Sequence, residues 1–356
     1  MLNLNFYKDK KVLITGHTGF KGTWLSKILI NAGAKVYGYS LDAPTQPNLF
    51  SLSKIESQMM SIIGDIRDYN HLKKCFDEIQ PEIVIHLAAQ PIVRDSYKEP
   101  KYTYETNVLG TVNVLECVRL TKTVKSFLNV TTDKVYYNDD VPNHPFSEDE
   151  PLDGYDPYSN SKSCSELVTH SYKKSFFTDG RCAISTARAG NVIGGGDFAN
   201  DRIIPDCIRA IESNKDIIVR NPFSTRPYQH VLEPLYIYLE ICEKQYNNIK
   251  YEGYYNVGPD DCDCVNTGDL VTKFCNAWGN IKWINKFDGG PHEASFLKLN
   301  NQKIKDMFGW KPRWHIDECI NKIVEWTKVY LNDKNQIPDE MDKEIELFMA
   351  NNIYFN

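Results

Sequence analysis

The chain has 356 residues, 42% of them hydrophobic, and a formal net charge of −6 at pH 7. This length suits one large domain or two, and the acidic balance argues against a nucleic-acid-binding surface. No apolar segment approaches the ~18 residues that a membrane-spanning helix needs, and the N-terminus has no signal-peptide core. We therefore expect a cytoplasmic protein with no nucleic-acid and no membrane partner.

Short apolar runs alternate with helical patterns through the first half of the chain. The predicted strands cover residues 12–15, 35–39, 60–63, 83–87, 127–131 and 183–187. The predicted helices lie near residues 21–32, 68–79, 101–121 and 158–176. Because the strands are apolar throughout, they predict a parallel sheet covered on both faces. The predicted fold class is α/β, with a doubly wound parallel sheet of the Rossmann type.

The first predicted strand runs into a glycine-rich turn and then a helix. This order predicts a dinucleotide-binding unit, since glycines let the backbone approach a pyrophosphate and the helix N-terminus attracts its charge. The cofactor-binding residues predicted in this segment are Gly16, His17, Thr18, Gly19, Phe20, Lys21 and Gly22.

The end of the second predicted strand bears on the choice of cofactor. Ser40 stands where a ribose-binding acid is expected, and the nearest carboxylate is Asp42. An acid binds the 2′-hydroxyl of NAD and repels the 2′-phosphate of NADP. No Arg or Lys lies between residues 36 and 53 to bind that phosphate, so NAD is the predicted cofactor. Further predicted cofactor contacts are Asp65, Ile66, Ala88, Ala89, Gln90 and Asn107.

Tyr158 and Lys162 lie four residues apart at the start of a predicted helix, where they share one face. A phenol has a reference pKa of about 10 and is a poor base at neutral pH. A lysine cation beside it, together with the nicotinamide charge, would lower the pKa of Tyr158. The pair predicts hydride-transfer chemistry in which Tyr158 accepts a hydroxyl proton.

The pattern becomes less regular beyond residue 190. We expect residues 1–190 to form the NAD-binding domain, with a returning segment near residues 228–260. Residues 191–356 are expected to form mainly a smaller, mixed α/β lobe. The ten cysteines have no disulfide framework, and no second Cys/His pair accompanies Cys262 and Cys264 at ligand spacing. We therefore expect free thiols and no metal site.

Six segments carry a family resemblance, namely GHTGFKG, LAAQ, TTDK, YDPYSNSK, RAGNVIGGGD and RPYQHVLEP. Together they resemble the extended short-chain dehydrogenase/reductase superfamily, and more narrowly its sugar-nucleotide 4,6-dehydratases, from about residue 5 to about residue 330. The resemblance implies a Rossmann domain with a smaller nucleotide-sugar-binding lobe, and NAD that is recycled within each turnover. It also implies a homodimer or homotetramer.

The resemblance assigns catalytic roles to Thr132, Asp133 and Lys134. In such dehydratases oxidation at C4 acidifies the C5 proton, which a base removes while an acid protonates the departing C6 hydroxyl. Thr132 would hydrogen-bond the C4 oxygen, Asp133 would act as the acid, and Lys134 would act at C5. Lysine is ordinarily cationic, so Lys134 either loses its proton and acts as the base or stays charged and stabilises the enolate.

The same segment bears on the substrate. Its third residue is Glu in relatives that act on dTDP-sugars and Lys, as here, in those that act on CDP-sugars, which favours a CDP-hexose. Two arginine forks would suit a diphosphate. The substrate contacts implied by the resemblance are Asn191, Arg202, Arg226 and His230 at the diphosphate, and His292 and Glu293 at the ribose or base.

Three functions are compared with the residues after Thr132 and with the Tyr158/Lys162 pair. A 4,6-dehydratase, for this or another nucleotide sugar, requires the polar residues that follow Thr132. A 4-epimerase on the same scaffold would usually have small residues there. A non-catalytic NAD-sensing protein would typically have lost Tyr158 or Lys162, and both are present.

Overall fold

The computed structural model describes residues 1–141, 143–287, 289–290 and 296–350. Its largest sheet has seven parallel strands, β1 (Lys11–Thr15), β2 (Lys35–Ser40), β3 (Met60–Ile63), β4 (Ile83–His86), β5 (Ser126–Thr132), β6 (Ala183–Ala189) and β10 (Tyr254–Val257). Their spatial order is β3-β2-β1-β4-β5-β6-β10. The predicted α/β class is confirmed, and the six predicted strands match β1 to β6 within two residues at each end.

Helices follow most strands of this sheet, as the alternating pattern predicts. They are α1 (Phe20–Asn31), α2 (Leu49–Ser53), α3 (Tyr69–Ile79), α4 (Val93–Lys98), α5 (Pro100–Tyr104), α6 (Gly110–Leu120), α7 (Pro157–Phe176) and α9 (Leu232–Asn247). The single helix predicted near residues 101–121 consists of α5, a π-helical turn over Glu105–Leu109, and α6.

The two faces of the large sheet have separate cores. Val12 and Ile14 of β1 pack in a core that also contains residues of α1 and α9. The intervening Leu13 packs on the opposite face with residues of α3 and α6. Successive side chains of a strand point to opposite faces, so a strand buried on both faces is apolar at every position.

The rest of the chain forms smaller sheets and additional helices. Strands β7 (Asn191–Ile193), β9 (Thr225–His230) and β11 (Cys264–Asn266) make a three-stranded sheet, and β8 (Ile217–Val219) pairs with β12 (Trp283–Asn285). The helices are α8 (Ile203–Glu212), α10 (Thr267–Trp278), α11 (Gln302–Phe308), α12 (Ile316–Asn332) and α13 (Ile337–Ala350). Within the part of the chain that the structure describes, no helix has both the length and the apolar character needed to cross a bilayer.

A buried ion pair joins helix α7 to the large sheet. Glu166 of α7 and Arg188 of β6 are both fully buried, and Arg188 Nη2 lies 3.0 Å from Glu166 Oε2. Thr131 and Thr186 also donate hydrogen bonds to the Glu166 carboxylate. Burial raises the pKa of Glu166, but the Arg188 charge and the hydrogen bonds from His170, Arg188 and Thr131 outweigh burial and lower the pKa to about 2. The pair therefore holds α7 against β5 and β6.

Replacing Glu166 by glutamine should destabilise the protein strongly, because it leaves the Arg188 charge buried without a counter-ion. We expect Glu166→Gln to lower the free energy of unfolding by about 3–5 kcal/mol at pH 7, as measured by urea unfolding. The matched control is Glu116→Gln, whose ion pair with Arg119 is partly exposed. The control substitution should lower the free energy of unfolding by only about 0–1 kcal/mol.

The ion pair between Glu166 and Arg188 also predicts how the stability of the folded protein changes with pH. The folded-state pKa of Glu166 lies below its ordinary value of 4.5, so its stabilising contribution is complete above that pH and is lost as the pH falls toward 2. The stability difference between the parent and Glu166→Gln should therefore shrink between pH 7 and pH values of about 3. If Glu166→Gln and Glu116→Gln lowered the free energy of unfolding equally at pH 7, the stabilising role of the buried ion pair would be contradicted.

Candidate active site

A cleft of about 500 Å³ opens where β5 and β6 end. Its lining comes from the loop after β5, the start of α7, the segment after β6, and helix α8. The sequence-predicted residues that it brings together are Lys21, Thr132, Asp133, Lys134, Tyr158, Asn191, Arg202 and Arg226.

The glycine-rich turn at the start of α1 has the shape that a dinucleotide requires. Gly16 has φ +81°, and a Cβ there would lie 2.8 Å from the Ala88 backbone nitrogen. A Cβ on Gly22 would lie 2.1 Å from the Gly16 carbonyl oxygen, so only glycine allows this helix to start so close to the strand. Gly19 precedes α1 and has no side chain that could cap it, so the N–H groups of the first helical turn receive no hydrogen bond from the N-cap residue. The turn therefore fits a pyrophosphate.

Side chains next to this turn brace it against the neighbouring strands. His17 is fully buried, its Nε2 lies 2.7 Å from Ser61 Oγ, and burial lowers the pKa of His17 to about 4. It is therefore neutral at pH 7. The Thr18 hydroxyl lies 2.9 Å from that of Ser40 at the end of β2, while Asp42 is exposed two residues further on.

Asn107 holds the loop after β4 in place. Its Oδ1 accepts the backbone N–H of Gln90 at 2.8 Å, and its Nδ2 donates to the Gln90 carbonyl at 3.0 Å. The same Nδ2 donates to Ser161 of α7 at 2.9 Å. Because Asn107 is buried and bonded in this way, it positions Gln90 and α7 in this structure.

The other predicted cofactor residues lie after β3 and β4. Asp65 is held by Arg67, whose Nη2 lies 2.6 Å from its carboxylate. Ile66 is buried against Gly110, the first residue of α6. Ala88 and Ala89 follow β4. The backbone of Ala88 lies next to Gly16 of the glycine-rich turn.

Strand β5 ends in the three polar residues to which the family resemblance assigns the elimination chemistry. The Thr132 hydroxyl donates to Asp133 Oδ1 at 3.0 Å, and the backbone N–H of Lys134 donates to the same hydroxyl at 3.4 Å. Asp133 is 2% exposed, and its Oδ2 has no hydrogen-bond partner among the described residues. Burial raises the pKa of Asp133, although the Lys134 charge and the Thr132 hydrogen bond oppose that effect. The carboxyl group therefore retains a proton more readily than an exposed aspartate.

Tyr158 and Lys162 lie in the first two turns of α7, on one face as the spacing predicts. The helix begins with Pro157, and Asp156 caps it by accepting the Ser159 N–H at 3.0 Å. Lys162 Nζ donates to the Val130 carbonyl of β5 at 3.1 Å. This places both residues beside the end of β5.

Burial has the largest effect on the pKa values of both Tyr158 and Lys162. Burial raises the pKa of Tyr158 to about 12, with weaker opposing effects from a Thr132 hydrogen bond and the Arg202 charge. Burial also lowers the pKa of Lys162 to about 8. The Arg202 charge therefore acts on the phenol in the direction that favours the phenolate, while the Lys162 ammonium group donates to the Val130 carbonyl.

Several cationic side chains line the cleft. Arg202 forms an ion pair with Asp197 at 2.9 Å, and Arg226 is 3% exposed, with its Nη1 donating to the Thr225 carbonyl at 2.9 Å. Burial and the charges of Arg202 and Lys162 lower the pKa of Lys21 to about 7. Asp197 was missed by sequence analysis, although it ends the glycine run that the family resemblance includes. Such a concentration of positive charge suits an anionic ligand.

His230 does not join this group, which corrects the predicted diphosphate contact. It is fully buried, with its Nε2 2.8 Å from Glu344 of α13 and its ring 4.9 Å from that of Trp314. The C-terminal segment covers His230, and among the described residues it is not part of the cleft lining. His292 and Glu293 lie outside the described residues.

The fold and the glycine turn define a dinucleotide-binding protein of the Rossmann type. More particularly, the family model described as GDP-mannose 4,6 dehydratase matches residues 13–323, and the chain belongs to that family.

Individual relatives extend this comparison. The chain is 45% identical to the CDP-glucose 4,6-dehydratase of Salmonella typhimurium over 344 residues, covering 95% of this chain and 96% of the relative. It is 27% identical to the dTDP-D-glucose 4,6-dehydratase of Dictyostelium discoideum, covering 92% of this chain and 82% of the relative.

Solved structures show the same fold at lower identity. The Bacillus anthracis dTDP-glucose 4,6-dehydratase in complex with NAD superposes with a TM-score of 0.74 at 21% identity, covering 91% of this chain and 98% of that chain. The Thermus thermophilus UDP-glucose 4-epimerase complex with NAD gives a TM-score of 0.77 at 23% identity, covering 89% and 98%.

Proposed function

We propose that this protein catalyses the NAD-dependent 4,6-dehydration of a nucleotide-activated hexose, with CDP-glucose as the substrate and CDP-4-dehydro-6-deoxyglucose and water as the products. The observation that carries the proposal is the buried Asp133 carboxyl group at the cleft, whose raised pKa suits a general acid. The 45% identity to a CDP-glucose 4,6-dehydratase over nearly the whole chain supports the choice of substrate.

The glycine turn that begins at Gly16 would hold NAD, with its pyrophosphate at the start of α1. When bound, this cofactor would supply the redox chemistry by taking a hydride from C4 and returning it to C6 while C5 takes up a proton, so no external oxidant would be consumed. Ser40 and Asp42 stand at the end of β2, where the ribose of the cofactor would lie. Neither side chain is a cation that would bind a 2′-phosphate.

Oxidation at C4 requires a group that removes the hydroxyl proton. Tyr158 would accept this proton while Thr132 hydrogen-bonds the C4 oxygen. Burial raises the pKa of Tyr158 to about 12, which is too high for a base at neutral pH, so the positive charge of the oxidised nicotinamide ring would have to lower it when the cofactor is bound. The charge of Arg202 already lowers the pKa of Tyr158, and Lys162, one turn further along α7, would add to this effect when the ligands are bound.

Elimination then breaks the C5–H and C6–O bonds and forms a C5=C6 double bond and water. Asp133 would donate its proton to the departing C6 hydroxyl, and Lys134 would act at C5, either as the base or as the cation that stabilises the enolate. Both residues line the cleft directly after β5, next to Thr132. The order of these residues along one short segment lets them act on adjacent carbons.

The substrate diphosphate would lie between Arg202 and Arg226, with Asn191 nearby. Each guanidinium can bind a phosphate with two parallel hydrogen bonds. Arg202 is paired with Asp197 at 2.9 Å, so the diphosphate would share or replace that contact.

We also propose the division of labour between the parts of the chain. Residues 1–190 would bind the cofactor together with a returning segment that contributes α9 and the edge strand β10 of the large sheet. The segment would begin near Leu232, since β9 belongs to the smaller sheet. Residues 191–356 would mainly bind the nucleotide sugar. The ten free cysteines support a reducing, cytoplasmic location.

Variants of the elimination residues should separate oxidation from dehydration. Asp133→Asn cannot supply a proton to the C6 hydroxyl, and Lys134→Met lacks both the charge and the potential base. With CDP-glucose, each variant should accumulate the near-ultraviolet absorbance of reduced nicotinamide while product formation falls on the order of 10²-fold or more. Tyr158→Phe is the control, since it should block the first step and show neither the signal nor the product.

Two results would argue against these roles. Product release at the parent rate by Asp133→Asn and Lys134→Met would exclude both residues from the elimination. A failure of both variants to reduce the cofactor would indicate that the pair positions the C4 hydroxyl instead.

We propose a homodimer or homotetramer assembled through the helices on one face of the large sheet. Exposed apolar side chains lie along α5 to α7, among them Leu109 (57% exposed) and Leu167 (52% exposed). Helices α6 and α7 pack side by side, so two copies could form a four-helix bundle that covers these side chains.

Sedimentation should show at least a dimer for the parent chain. Leu109→Asp combined with Leu167→Asp should shift it toward the monomer of 41.0 kDa, because charges would be buried at the contact. Leu331→Asp on α12 is the matched control, as Leu331 is also exposed but lies on a different helix. A parent chain that sediments only as a monomer would refute this assembly.

A further inference from the structure

We propose that Cys262, Asp263 and His315 form a binding site for a zinc-type divalent cation, outside the lining of the cleft. Cys262 and Asp263 lie in a single 3₁₀ turn before β11, and His315 immediately precedes α12. The donor atoms of the three side chains lie within 4.8 Å of one another. Sequence spacing misses this group because His315 is separated from the other two residues by more than 50 positions.

The three donor atoms form a triangle close to the one that zinc requires. Cys262 Sγ lies 4.0 Å from His315 Nδ1 and 3.7 Å from Asp263 Oδ2, and Nδ1 and Oδ2 are 2.8 Å apart. A tetrahedral Zn²⁺ with bonds of about 2.3 Å to sulfur and about 2.0–2.1 Å to nitrogen and oxygen needs separations of about 3.6 Å to sulfur and about 3.3 Å between nitrogen and oxygen. Shifts of about half an ångström would convert one triangle into the other.

This geometry does not fit a nucleophilic triad. In a triad the histidine uses one ring nitrogen for the nucleophile and the other for the carboxylate. Here Cys262 and Asp263 both face the same nitrogen, Nδ1 of His315, so the three atoms converge on one point.

The carboxylate of this group is held in place by the backbone. Asp263 is 3% exposed, and its Oδ1 accepts the Ile316 N–H at 2.9 Å. This contact caps the start of α12, and it leaves Oδ2 directed at His315. A hydrogen bond to the non-ligating oxygen is the usual outer contact of a metal-bound carboxylate. Cys262 and His315 are exposed, so a cation can enter from solvent.

The donor set selects the chemical class of the cation. Thiolate, imidazole and carboxylate together suit Zn²⁺ and its spectroscopic substitute Co²⁺, whereas Mg²⁺ and Ca²⁺ prefer all-oxygen sites. Three protein ligands leave one position of a tetrahedral ion for water. A bound cation would tie the turn before β11 to the start of α12 and would stabilise the folded chain by mass action.

Cobalt binding tests this site directly. The full chain, treated with a chelator, should develop thiolate-to-cobalt charge-transfer and tetrahedral visible bands on titration with Co²⁺, and Zn²⁺ should abolish them. Cys262→Ser and His315→Gln should lose the charge-transfer band. Cys264→Ser is the matched control and should keep it, because Cys264 Sγ faces the Asp260 carbonyl at 3.8 Å. Zn²⁺ should raise the Tm of the parent and of Cys264→Ser, but not of the other two variants.

Three outcomes would overturn the proposal, namely no charge-transfer band in the parent, an undiminished band in Cys262→Ser, or loss of the band in Cys264→Ser. Far-ultraviolet circular dichroism checks that each variant is folded. His315→Gln removes a hydrogen-bond partner of Asp263, so it could also disturb the local fold. Cys262→Ser changes only the sulfur atom of an exposed side chain, so loss of the band in this variant reports on the cation ligand itself. The result is independent of the activity toward nucleotide sugars.

Discussion

The arrangement of the candidate catalytic residues depends on the buried ion pair between Glu166 and Arg188. Glu166 lies one turn beyond Lys162 and two turns beyond Tyr158 on the same face of α7. It also accepts a hydrogen bond from Thr131, the neighbour of Thr132 in β5. One buried carboxylate therefore sets the position of the helix against the strand whose end carries the elimination residues.

The second constraint is the concentration of charge around the cleft. Burial and the nearby charges of Arg202 and Lys162 lower the pKa of Lys21, and Asp133 and Asp197 only partly compensate. Burying like charges together is unfavourable without an anionic ligand. A dinucleotide and a sugar diphosphate would supply several negative charges, so ligand binding would relieve the repulsion and the protein would gain stability from its ligands.

Local patterns in the sequence predicted the parts of the site that depend on short-range geometry. The turn at Gly16 and the four-residue spacing of Tyr158 and Lys162 are such features, because a glycine conformation and a helix period act within a few residues. Long-range contacts were not predictable in this way. Arg188 finds Glu166 only when β6 packs beside α7, and His230 is removed from the cleft by Glu344, more than 100 residues away. The charge of Arg202 on Tyr158 was likewise not predictable, because Arg202 lies 44 positions further along the chain.

The central claim is that this chain dehydrates a nucleotide sugar, and product analysis tests it most directly. The purified protein would be incubated with the CDP-, dTDP-, GDP- and UDP-derivatives of glucose, and the products would be analysed by mass spectrometry. The account predicts that CDP-glucose is converted fastest, to a 4-keto product lighter by one water. Formation of an isomer of unchanged mass, or no conversion of CDP-glucose, would contradict it.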